Sequence, residues 1–218
     1  NTNYFAEISE NIRAELGYSI STIGNELGTI ARSEVHESIA YVDKNNVASG
    51  NNLDVAGFAT GDLYKDVASS LLDLLDNYHY TFLRKFERNS GTYYNDSYTA
   101  IAKTSDYATI ENNRVMDKAE RLVYDSLVPL ISSPINLTSE GKLTQSDIDI
   151  FENKGAIAIE SMANNISVDD DGNAQYKFEV PASQSVLTTS KIETTLKVIP
   201  KGVAREIIVN NSYTVTLD

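Results

Sequence analysis

Apolar residues recur at helical spacing from Tyr4 to about Arg32, with Ile8, Ile12 and Leu16 followed by Ile20, Ile23, Leu27 and Ile30. Two helices joined near Gly17 are expected there. Gly24, Gly28 and Ala31 fall on one narrow stripe that lets another backbone come close, either inside the domain or in a subunit contact. Ser38 to Val42 reads as a short strand, and Asp43 to Asn52 as a polar loop. Tyr64, Val67, Leu71, Leu74, Leu75 and Tyr78 mark an amphipathic helix. The aromatic and β-preferring run Tyr80 to Phe86 marks a strand, and Glu87 to Ala100 a structured loop or short hairpin. Thr104 or Ser105 can cap a further helix, whose core face runs from Ile110 through Val115, Ala119, Leu122, Val123 and Leu127 to Leu130 before Pro134 stops it. Its charged face is either a solvated surface or a lateral contact. Thr144 and Asp147 resemble a capping box. The helix they open turns Ile148, Phe151, Ile159 and Met162 inward and leaves Asp147, Asp149, Glu152 and Glu160 as an acidic exterior.

After a polar turn at Asp169 to Asn173, the period changes from helical to alternating. Strands are expected at Gln175 to Val180, Lys191 to Ile199 and Arg205 to Leu217, with Pro200-Lys201-Gly202 as a turn that makes the last two an antiparallel hairpin. The fold class is α+β, with several helices packed on a mainly antiparallel sheet, a C-terminal hairpin and a terminal strand. In that last strand Ile207, Val209, Tyr213, Val215 and Leu217 alternate with polar residues. Such a strand either docks at the edge of its own sheet or leaves the subunit and completes a neighbour's sheet.

Composition narrows the function. The 218 residues carry 31 acidic and 18 basic side chains, a net charge of -13. That field repels a phosphate backbone, and no basic patch offsets it, so nucleic acid is not an expected partner. No apolar run approaches the roughly 18 residues of a membrane span. The absence of cysteine excludes disulfides, thiolate catalysis and cysteine-ligated metals.

Catalytic patterns are missing as well. No phosphate-cradling loop, dinucleotide fingerprint or nucleophile elbow occurs. His36 and His79 have no sequence-adjacent metal partner. Asp169, Asp171 and Asn173 imitate the start of a calcium loop, but Ala174 replaces the required glycine and Val180 the bidentate glutamate. Neither an enzymatic activity nor a cofactor is expected.

Residues Ser183 to Leu217 and Thr104 to Asp125 resemble the C-terminal part of contractile tail sheath proteins of phages, prophages and related injection machines. Three further stretches match in the same order: VHESIAYV at Val35 to Val42, YTFLRKF at Tyr80 to Phe86, and GTYYNDSYTA at Gly91 to Ala100. The resemblance implies a single sheath C-terminal core domain over residues 1–218, helix-rich over 1–165 and strand-rich over 174–218. Sheath subunits of this type carry an N-terminal arm and an additional domain ahead of the matched region. A chain that opens at Asn1 without methionine is therefore expected to be a C-terminal fragment or processed product.

The resemblance further implies a structural subunit that polymerises helically around an inner tube and contracts to drive it through a target envelope. Its partners would be further copies of itself, joined through terminal strands, together with the inner tail tube protein and the baseplate and tail terminator proteins. No membrane partner is implied, and the setting would be a virion tail or injection particle assembled in the bacterial cytoplasm. On this reading Ile207, Val209, Tyr213, Val215 and Leu217 anchor the exchanged strand, with Ile192, Leu196 and Val198 as its hairpin partner. The helix bearing Asp147, Asp149 and Glu152 would face the tube. The alternative is a soluble binding module, an adhesin or carbohydrate-binding domain, using its tyrosines, of which Tyr93, Tyr94 and Tyr98 form the local cluster.

Overall fold

The computed structural model describes residues 4–7, 21–48, 55–58 and 60–213, with 4–7 and 55–56 as backbone alone. Two long helices organise the larger core. The first, α3 after two shorter helices among the described residues, spans Ile110–Leu127, and α4 spans Gln145–Glu160. Val115, Ala119 and Val123 lie four residues apart, so they stack on one face of α3 and are buried there. Ile148, Phe151 and Ile159 do the same on α4, and Met162 and Ile166 extend the face beyond the helix end. Each large side chain so buried contributes about 1.5–3 kcal/mol.

The start of α4 follows the expected capping box. Thr144 Oγ1 accepts from the Asp147 amide at 3.4 Å, while the Thr144 hydroxyl donates to Asp147 Oδ2 at 2.6 Å. The expected cap of α3 is displaced. Ser105 instead closes a tight turn by accepting from the Tyr107 amide at 3.2 Å, and the helix begins after Thr109. A single 3-10 turn, Val128–Leu130, ends it before Pro134.

Antiparallel ribbons account for the strands. Among the described residues these are β1 (Tyr4–Glu7) with β2 (Val55–Phe58), β3 (Leu83–Phe86) with β4 (Asn89–Tyr94), and β5 (Tyr176–Glu179) with β6 (Thr195–Val198). The class is α+β as expected, but the strands form three two-stranded pieces instead of one sheet. Tyr4–Glu7, expected to be helical, is a strand because Val55–Phe58 offers it a ladder in the register Tyr4↔Phe58. The remainder of the expected helix pair before residue 21 lies outside the described residues. Phe178 of β5 closes the large core directly over α4. A Cβ added at Gly155 would sit 2.2 Å from the Phe178 ring, so that glycine is what admits the ring.

A second, smaller core gathers Ile39, Val47, Leu83 and Tyr94. Ile30 of helix α1 (Ile23–Arg32) packs against it, and helix α2 spans Ser69–Asn77. Tyr94 is fully buried, and its hydroxyl donates to Asn25 Oδ1 of α1 at 2.8 Å. A Cβ added at Gly24 or Gly28 meets nothing within 4 Å among the described residues, so neither marks tight packing there. Residues Ser38 to Val42, expected as a strand, form successive turns instead. Buried Asn45 holds them, its Nδ2 donating to Ser33 Oγ and to the Ser38 carbonyl, each at 3.2 Å. A side-chain amide here does what a strand partner would otherwise do.

Polar contacts join the two cores. The Arg114 guanidinium on α3 donates to the Ser33 and Glu34 carbonyls at 3.0 and 3.1 Å, satisfying acceptors left open at the end of α1. Lys118 Nζ donates to Asn165 Oδ1 at 2.7 Å, which directs the Asn165 amide nitrogen to donate to His36 Nδ1 at 3.0 Å. His36 is therefore neutral and carries its proton on Nε2. Burial first, and the Lys201 ammonium second, hold its imidazolium below the usual histidine range.

Candidate assembly surface

The C-terminal segment leaves the large core at Pro200, where Ser167 ties it down. The Ser167 amide donates to the Ile199 carbonyl at 2.9 Å and its hydroxyl to the Pro200 carbonyl at 2.8 Å. The expected turn at Pro200-Lys201-Gly202 does not form. The chain continues past the turns of residues 36–44 to Arg205, whose guanidinium joins two buried carboxylates. Arg205 Nε donates to Asp96 Oδ1 and Oδ2 at 2.9 and 2.8 Å, and Nη2 donates to Glu111 Oε1. Asp96 is 4% exposed and Glu111 2%. Glu111 also accepts from the Ser97 hydroxyl. Buried charges of one sign need a counter-ion. Here it comes from Arg205 of the C-terminal segment, an arm whose root therefore belongs to the folded domain.

Beyond Arg205 the relationship reverses. Ile207, Ile208, Val209 and Tyr213 are 82%, 72%, 75% and 94% exposed, and no hydrogen bond joins residues 206–213 to the described remainder. The expected hairpin between Lys191–Ile199 and Arg205–Leu217 is not formed across these residues. Leu196 and Val198 sit on β6, whose partner is β5 in the register Phe178↔Leu196 and Tyr176↔Val198, and they pack with Ile192 against the large core. β5 occupies one edge of β6. The second edge of the β5–β6 ribbon has no strand on it among the described residues. Val215 and Leu217 lie outside the described residues.

The three acidic positions on α4 separate by role. Asp147 is buried; the Thr144 hydroxyl and the Asn136 amide, the latter at 3.0 Å from Oδ2, hold its carboxyl below the usual carboxylate range. It belongs to the helix cap and not to an acidic exterior. Glu152 is half-buried and accepts from the Val180 amide at 2.9 Å, tying α4 to the end of β5. Asp149 is exposed, and its Oδ1 accepts from the Gln145 side-chain amide at 2.8 Å. Helical periodicity alone did not reveal that Asp147 faces backward to its own cap.

The tyrosine cluster disperses. Tyr93 and Tyr94 are buried at 4% and 0% exposure, and the Tyr98 hydroxyl donates to Asp76 Oδ2 at 2.9 Å. Asp169 spends its carboxylate on a turn, with Oδ1 accepting from the Asp171 and Asn173 amides at 3.0 and 2.8 Å. Among the described residues no cluster of three metal-ligating side chains occurs, and no helix is long and apolar enough to cross a membrane. Sequence reasoning missed the Arg205, Asp96 and Glu111 group, because nothing in local spacing links residues so far apart.

This architecture is shared with chains of contractile injection machines. A chain of the PVC sheath complex, from an extracellular contractile injection system in the contracted state, matches with a TM-score of 0.67 at 13% identity, over 98% of this chain and 55% of the other. A chain from the anti-feeding prophage baseplate matches at 0.66 and 15% identity, over 97% and 53%. One from the contracted helical sheath of the same prophage matches at 0.65 and 18%, over 89% and 51%. The protein therefore has a sheath-related fold, and it spans about half the length of those chains. It belongs to the DUF2586 family, whose C-terminal domain model matches residues 106–218. No curated protein matches it.

Proposed function

We propose that this chain is the C-terminal core of a structural subunit of a contractile tail sheath, which polymerises helically around an inner tube and contracts to drive that tube through a target envelope. The observation that carries this reading is the agreement in fold, along nearly the whole chain, with chains of contracted sheaths. The arm supports the mode of linkage. It is fixed at Arg205 and then presents Ile207, Val209 and Tyr213 to solvent, each worth about 1.5–3 kcal/mol once covered. A neighbour's open strand edge can supply both that cover and main-chain partners. Linkage by backbone ladders lets subunits rotate without dissociating, and energy held in a metastable extended lattice needs no nucleotide or cofactor. The partners on this reading are further copies, the inner tail tube protein, and baseplate and tail terminator proteins, within a tail or injection particle assembled in the bacterial cytoplasm.

Negative-stain electron microscopy of the full-length gene product, with and without its tube protein, tests the reading. Hollow tubes or stacked rings are the expected result. A protein that stays monomeric at every concentration and ignores the tube would overturn it.

A further inference from the structure

A groove of about 760 Å³ lies between the turns of residues 36–44, strand β3 and the root of the arm. Its cations are unequally used. Lys44 is paired with Glu37, and Arg205 with Asp96 and Glu111. Arg84 and Lys201 have no ion-pair partner among the described residues. Arg84 is held in place, its guanidinium lying 4.4 Å from the centre of the Phe86 ring, and its buried Nε has no acceptor among the described residues. A guanidinium cannot shed its proton, so Arg84 lines the groove as a fixed positive charge that an anionic acceptor would neutralise. The acceptor that matches its planar fork is a carboxylate.

We propose that this groove receives carboxylates from a second copy of the chain, with Arg84 and Lys201 as the receiving cations and the Asp170–Asp171 turn as the segment received. Charge complementarity selects the partner. At a net charge of -13 two copies repel one another unless a contact places free cations against carboxylates. Asp169 to Asp171 is the chain's one run of three consecutive acidic residues. Asp169 is consumed by its own turn, which leaves exposed Asp170 and Asp171 available. The identity of the partner rests on the polymer reading; the carboxylate chemistry of the groove does not.

The test titrates an acetylated peptide of residues 167–174 against the 15N-labelled chain, with the same peptide carrying Asn at 169–171 as control. Saturable binding that shifts the Arg84 side-chain resonance and disappears near 0.5 M salt is expected. Loss of a charge-assisted pair should weaken binding by about tenfold or more in Arg84→Gln/Lys201→Gln. Circular dichroism melts verify that this variant is folded. No binding to the wild-type chain, or equal binding to the variant, overturns the proposal. In the full-length protein, Arg84→Glu/Lys201→Glu should prevent tube formation, and adding Asp170→Lys/Asp171→Lys should restore it. Wild-type tubes that persist in the first variant overturn the inference while leaving the sheath reading intact. Peptide binding by a protein that never forms tubes removes the second copy as partner.

Discussion

Arg205 Nε lies 2.9 and 2.8 Å from the two carboxylate oxygens of Asp96, across 109 residues of chain. The same guanidinium reaches Glu111 at the start of α3. The pair makes the root of an otherwise exposed arm a structural member of the domain, so the arm's departure direction is set by buried electrostatics.

Replacing Arg205 by Ala leaves two buried carboxylates without a counter-ion. Breaking a buried pair in this way costs about 3–5 kcal/mol. Because the Arg205 side chain is itself 37% exposed, we expect the lower end, about 3 kcal/mol. Urea denaturation checks this, and Arg205→Ala combined with Asp96→Asn and Glu111→Gln should recover part of the loss.

Further along the arm the expectation is opposite. Val209→Asp and Tyr213→Asp alter side chains already 75% and 94% exposed, so the unfolding free energy of the isolated chain in urea should change by no more than the roughly 0.5 kcal/mol typical of surface changes. Polymerisation of the full-length protein should be lost. Retained tubes, scored by sedimentation and microscopy, would remove the arm as an assembly strand.

Asp149 and Glu152 should behave differently from each other. Charge reversal at Asp149 changes an exposed carboxylate and is expected to leave folding intact while weakening sheath-on-tube assembly. Glu152→Lys removes the acceptor of the Val180 amide and should destabilise the fold by about 1–3 kcal/mol. Co-sedimentation with the tube protein, normalised to folded protein, separates the two effects.

His36 supplies a pH dependence. Its imidazolium is held below the ordinary range near 6.5, by burial first and the Lys201 ammonium second, against the opposing pull of Glu37 and Glu34. The unfolded chain therefore binds this proton more readily. The contribution is full above that ordinary value and is lost as pH falls through the folded one. Protonation would also set an N–H against the Asn165 amide that donates to Nδ1. Stability measured at pH 8 and pH 5 should differ more for the wild type than for His36→Gln; equal differences would exclude the role.

Sequence by itself determined the helices α3 and α4 with their buried faces, the Thr144 cap, and the strands β5 and β6. In each case the deciding interaction is local: side chains three or four residues apart share a helix face, alternate residues share a strand face, and a hydroxyl caps its own helix. Periodicity marks a segment as strand-forming without naming the strand it will pair with. Only the tertiary structure decided that β6 pairs with β5 and leaves the arm unpaired, and that Tyr4–Glu7 joins Val55–Phe58. It alone brought Arg205 to Asp96 and Glu111, because pairing between distant segments depends on which edges and buried charges the packed cores leave open.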